Sequence, residues 1–126
     1  PITSVVDLVK KDNLTEGLWT ISFDHDHIRI EVNPKLKESI DEARNDNKNR
    51  VILKNSIYFA TVMQAIQKLQ DKEESFSDRK WAKIFTNQAS NRGIDIEGHD
   101  AYLVAQQLMQ LPALQLDTLV FKGGNQ

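Results

Sequence analysis

The densest run of reactive side chains in the sequence is Asp24-His25-Asp26-His27. On an extended backbone His25 and His27 share one face, and Asp24 and Asp26 share the other. Two imidazoles on one face, joined by a carboxylate from elsewhere, make a ligand set for a divalent metal. Such a metal lowers the pKa of a bound water and supplies hydroxide at neutral pH, the chemistry of a metal-dependent hydrolase or nuclease. The competing reading is a solvated connection between two strands, where Asp is favoured because it tolerates turn geometry. His-x-His within four turn residues is a weak metal signature, so the turn reading is preferred.

Other candidates are looser. His99-Asp100 follows Gly98, and a His oriented by a carboxylate can serve as base toward a hydroxyl such as Ser56 or Ser90. Neither serine lies in a Gly-x-Ser-x-Gly elbow. Asp95, Glu97 and Asp100 are better explained as anions in the first turn of a helix, where they favour its dipole. Asp41, Glu42, Asp71, Glu73 and Glu74 have no spacing that ties them to one pocket and read as solvated helix faces and ends. Arg79, Lys80 and Lys83 flank Trp81 and offer a phosphate-tracking surface, the mark of a nucleic-acid accessory domain. Trp81 itself falls on an apolar stripe, so this reading ranks low. The sequence contains no Walker-type or dinucleotide-binding glycine loop, no His-Glu-x-x-His helix and no EF-hand loop. No cofactor is implied. The nine aromatic residues mostly fall on expected core faces rather than on a stacking platform.

The elements that must position these groups follow from hydrophobic periodicity. Trp19, Ile21 and Phe23 alternate with polar residues, as do Ile28, Ile30 and Val32, which predicts an antiparallel hairpin connected by residues 24–27. Its apolar face needs a cover, because a lone hairpin is marginally stable. Four helices are expected to supply it. The first begins at Asn33-Pro34, with Asn as cap and Pro at the first helical position, and carries Leu36, Ile40 and Ala43 on one stripe. The second runs over about 56–69, with a wide stripe of Ile57, Phe59, Ala60, Val62, Met63, Ile66 and Leu69 that marks it as central. The third runs from Ser77 toward Gly93 with Trp81, Ile84, Phe85 and Ala89 inward. It ends in a Schellman motif in which Ile94 packs back on Ala89. The fourth covers about 99–110, with Ala101, Tyr102, Ala105, Leu108 and Met109 on its stripe, and Pro112 ends it.

Three segments are less determinate. Residues 2–9 suit a strand or a short helix, and Val51-Ile52-Leu53 suits a strand or a helix entry. The Asn-rich stretch 45–50 reads as a surface loop, and 70–75 as a polar separator. Residues 114–121 are apolar enough to be buried and lean toward helix.

The fold class expected is α+β: an N-terminal antiparallel hairpin or small sheet packed against a mainly helical C-terminal part. A length of 126 residues points to one domain over 1–126, with 122–126 as a frayed polar tail. Sixteen Lys plus Arg against eighteen Asp plus Glu give no bulk charge for nucleic acid or a membrane surface, and no apolar run reaches bilayer length. The absence of Cys excludes disulfides, thiolate nucleophiles and Cys-based metal sites. Together with the lack of a signal-like segment at Pro1-Ile2-Thr3, it suggests a domain of a larger cytoplasmic protein. The functional expectation is a non-catalytic protein-interaction or oligomerisation module. Its apolar stripes exceed what one two-stranded ribbon covers, and its strand edges are open to a partner.

Overall fold

The computed structural model describes residues 1–71 and 75–119. Glu73, Glu74, Val120, Phe121 and the tail 122–126 lie outside the described residues. The fold is α+β, a small N-terminal sheet packed against helices.

The hairpin forms as its alternation demands. Strands β2 (Trp19–Ser22) and β3 (Ile28–Val32) pair antiparallel, with Trp19 opposite Val32 and Ile21 opposite Ile30. The indeterminate N-terminal segment resolves into both of its options. A 3-10 turn, Ile2–Val5, leads into strand β1, Val6–Lys10. β1 pairs with β3 in parallel, Val6 opposite Ile28 and Lys10 opposite Val32, so the sheet is three-stranded in the order β1-β3-β2. β3 is the central strand, and Ile28, Ile30 and Val32 have no solvent exposure. The hairpin is therefore part of a mixed sheet, and only one of its two edges, that of β2, is left open.

Five α-helices follow among the described residues, one more than the four expected to cover the hairpin. Helix α1 (Pro34–Ala43) starts as expected: Asn33 accepts the Leu36 N–H on its side-chain oxygen at 2.8 Å. Helix α2 (Asn47–Lys54) occupies most of the stretch read as a loop. Asp46 caps it by accepting the Lys48 N–H, and burial of Val51 and Leu53 outweighs the weak helix propensity of its Asn residues.

Helix α3 (Ile57–Gln70) is central, with Val62, Ala65 and Ile66 fully buried. Its innermost stripe also includes Tyr58 and Thr61, while Ile57, Phe59 and Met63 are only partly buried against the core. Thr61 reaches the interior because its hydroxyl donates to the Ile57 carbonyl at 2.8 Å, which satisfies it within the helix.

Helix α4 (Lys80–Asn91) sends Trp81, Phe85 and Ala89 inward and ends as predicted. Gly93 has φ +68°, the Ile94 N–H donates to the Ala89 carbonyl at 2.8 Å, and the Gly93 N–H donates to the Ser90 carbonyl at 3.2 Å. Helix α5 (Ala101–Leu108) buries Ala101, Val104, Ala105 and Leu108. Tyr102, expected inward, is exposed. Past α5 a 3-10 helix, Pro112–Leu116, packs on α2. The helical lean at this segment holds over Pro112–Leu116, but the expected burial does not: Leu114 is 72% exposed and Leu116 is exposed too.

The core joins the inner face of the sheet to α3, α4 and α5. Phe23, Phe76, Trp81 and Phe85 form an aromatic cluster at the end of the sheet, with the Trp81 and Phe85 centroids 5.6 Å apart and edge-on.

Candidate functional site

Residues 24–27 do connect β2 to β3, and two of their polar side chains have defined structural partners. The Asp26 carboxylate accepts the Lys80 N–H at 3.2 Å, and the Asp26 carbonyl accepts the Trp81 N–H at 2.8 Å. Asp26 thus caps the start of α4, where Arg79 in the N-cap position provides no side-chain hydrogen bond. Just before this loop, the Phe23 carbonyl accepts the Trp81 indole N–H at 3.1 Å. His27 Nδ1 lies 3.1 Å from an oxygen of Asp7 on β1, so it ties the loop to the neighbouring strand. Asp24 and His25 are exposed. Among the described residues no group of three or more His, Asp or Glu could hold a metal, so His25, His27 and His99 do not converge on one point.

His99 and Asp100 stand just before α5. The His99 carbonyl, with that of Ile96, accepts from the Gln70 side-chain amide, both at 2.8 Å, which fastens this loop to the end of α3. The acidic residues are not in the first turn of α5. Asp100 takes the N-cap position, and the Asp95 carboxylate accepts the Glu97 N–H in a local turn. Ser56 donates to the Ile52 carbonyl at 2.6 Å, a hydrogen bond internal to the α2–α3 connection. Arg79 precedes α4 as its N-cap and pairs with Asp78 at 3.1 Å, while Lys80 and Lys83 lie in the first half of the helix.

Sequence reasoning missed a cationic pocket at the junction of β1, α2 and α3. Arg44, just past α1, and Arg50 and Lys54, both on α2, line it with Thr3 and Tyr58; Val6 and Leu53 complete the lining of about 210 Å³. Arg44 is held from two sides: one guanidinium nitrogen donates to the Tyr58 hydroxyl at 3.3 Å and another to Asp41 at 2.8 Å. Partial burial pulls its pKa down, but the Tyr58 hydrogen bond and the Asp41 charge outweigh it and leave Arg44 above the ordinary guanidinium value. Asp41 also accepts from Lys37 at 2.6 Å. That hydrogen bond, with the charges of Lys37 and Arg44, holds the Asp41 carboxyl below the usual carboxylate range against its slight desolvation. Arg50 donates to the side-chain oxygen of Asn47. The signal that could have found the pocket is the spacing Arg50-Leu53-Lys54, one face of a helix, which the loop reading of 45–50 concealed.

The third feature is apolar. Among the described residues seven large apolar side chains are exposed, and five of them, Tyr102, Leu103, Leu111, Leu114 and Leu116, belong to α5 and the turn that follows it. Ile52, 49% exposed, sits on α2, the helix against which that turn packs; the Asn55 amide donates to the Pro112 carbonyl at 3.2 Å to hold the two together. No described helix is long and apolar enough to cross a membrane.

Comparison with protein-family models, with curated proteins and with solved structures found no match.

Proposed function

We propose that this chain is a non-catalytic protein-interaction module of the cytoplasm, working through the apolar face that α5 and the Pro112–Leu116 turn present. The observation that carries this reading is the concentration of exposed apolar side chains in one part of the chain. Leu103, Leu111, Leu114 and Leu116 remain in contact with water although the core next to them is closed. Scattered exposed leucines are ordinary, whereas a cluster of them marks a surface that gains free energy when a partner covers it. The absence of Cys agrees with a reducing compartment. The simplest partner to test is a second copy.

Sedimentation velocity over a dilution series tests the reading. The expected result is concentration-dependent association that Leu114→Glu abolishes while the circular dichroism spectrum is kept, since Leu114 contributes little to the core. A chain that stays monomeric, with dye binding to its apolar surface unchanged by Leu103→Glu and Leu114→Glu, overturns it. Monomeric behaviour with dye binding lost in both variants supports a partner other than the chain itself.

A further inference from the structure

We infer that the pocket between β1, α2 and α3 is a binding site for a small phosphate monoester carrying an apolar body. This inference rests on a different part of the molecule from the C-terminal apolar face and stands independently of it.

Three cationic side chains, Arg44, Arg50 and Lys54, line a pocket with no carboxylate in its lining, in a chain whose formal net charge is −2. The nearest anion in their hydrogen-bond network, Asp41, is shared between Lys37 and Arg44. Among the described residues the Lys54 side chain has no hydrogen bond or ion pair partner. Arg50 and Lys54 are separated by one helical turn on α2, a spacing at which like charges destabilise a helix. Two negative charges placed between them and Arg44 relieve that repulsion.

The donor types in the lining also suit a phosphate. Guanidinium groups present paired N–H donors suited to phosphate oxygens, and Lys supplies a mobile point charge. Tyr58 places its hydroxyl within reach of Arg44, and Thr3 adds a second hydroxyl to the lining. Val6 and Leu53 are nearly buried apolar groups at the same place, so the site offers a ligand more than charge. Its volume of about 210 Å³ is below the roughly 300–1,000 Å³ of pockets that hold drug-sized ligands. That selects a compact molecule, a phosphate on a single ring or a short alkyl chain.

Amide NMR titration of the full chain tests this, with phenyl phosphate, inorganic phosphate and benzoate as probes at constant ionic strength. Phenyl phosphate is expected to move the amides of residues 50–54 and Tyr58 saturably, and to bind more tightly than either inorganic phosphate or benzoate. Lys54→Gln and Arg50→Gln, both at exposed side chains, are each expected to weaken it about tenfold, with Lys83→Gln on α4 without effect. Equal weakening by Lys83→Gln, or shifts that spread over the surface without saturating, identifies general charge attraction and overturns the inference. So does benzoate binding as tightly as phenyl phosphate, or inorganic phosphate doing so, because the dianion or the apolar body is then not being read.

Discussion

Asp26 and Trp81 are joined backbone to backbone, the Trp81 N–H donating to the Asp26 carbonyl at 2.8 Å. The same aspartate presents its carboxylate to the Lys80 N–H, so the turn of the hairpin serves as the missing cap of α4. A helix leaves its first N–H groups without partners inside the helix, and here a loop distant in sequence supplies two acceptors. Asp26→Ala is expected to lower stability by about 1 kcal/mol in urea denaturation. Asp26→Asn keeps an acceptor oxygen and should cost less. Equal stability of wild type and Asp26→Ala would show that the cap contributes nothing.

The indole of Trp81 does related work in the interior. It is fully buried and donates to the Phe23 carbonyl at 3.1 Å. Trp81→Phe keeps an aromatic ring but leaves that carbonyl without its donor and opens space, so a loss of about 2–4 kcal/mol is expected. The midpoint of thermal or urea unfolding reads it directly.

Gln110 and Leu111 both have positive φ, 63° and 56°, a conformation that costs L-residues roughly 1–2 kcal/mol. Gln110 ends α5 as Gly93 ends α4: the Leu111 N–H donates to the Gln106 carbonyl at 2.8 Å and the Gln110 N–H to Gln107 at 3.1 Å. Gln110→Gly relieves the strain but adds freedom to the unfolded chain, and the balance is expected to be a gain of about 0.5–1 kcal/mol. Gly93→Ala should move stability the other way by a similar amount. A destabilising Gln110→Gly would contradict this account of the turn.

Asp41 gives stability a small acid dependence. Its hydrogen bond from Lys37, reinforced by the charges of Lys37 and Arg44, depresses its pKa in the folded chain. A depressed carboxyl stabilises the fold above its unfolded pKa of about 3.9, and this contribution is lost as pH falls through the lower folded value. The side chain is 38% exposed, so solvent screening keeps the effect to about 0.3–0.5 kcal/mol. The difference in unfolding free energy between wild type and Asp41→Asn should be constant from neutral pH to about pH 5 and shrink below about pH 4.

The sequence announces what is local. The Asn33 cap, the alternation of β2 and β3, and the Gly93 stop each involve residues a few positions apart, and each is found. What escapes the sequence is set at long range. Asp26 and Lys80 are separated by 54 positions, so the His-x-His spacing next to Asp26 attracts a metal reading while its structural task leaves no local trace. Residues 47–50 favour turns by type, yet they are wound into α2 by the burial of Val51 and Leu53; tertiary packing overrides propensity. Tyr58 and Thr61 are hidden from an apolar stripe by their hydroxyls, although both reach the core. The cationic pocket is invisible for the same reason as α2, because its face exists only once the helix does.

The placement of β3 between β1 and β2 has a consequence for the order of assembly. β2 and β3 meet across a short turn, so their joining sacrifices little chain freedom. β1 can reach β3 only after the polypeptide doubles back around the whole of β2, a larger loop-closure entropy set against the same kind of ladder. The first strand in chain order is thus the one whose place is made last, and the apolar side of Val6–Lys10 stays unsheltered until the hairpin stands ready to receive it.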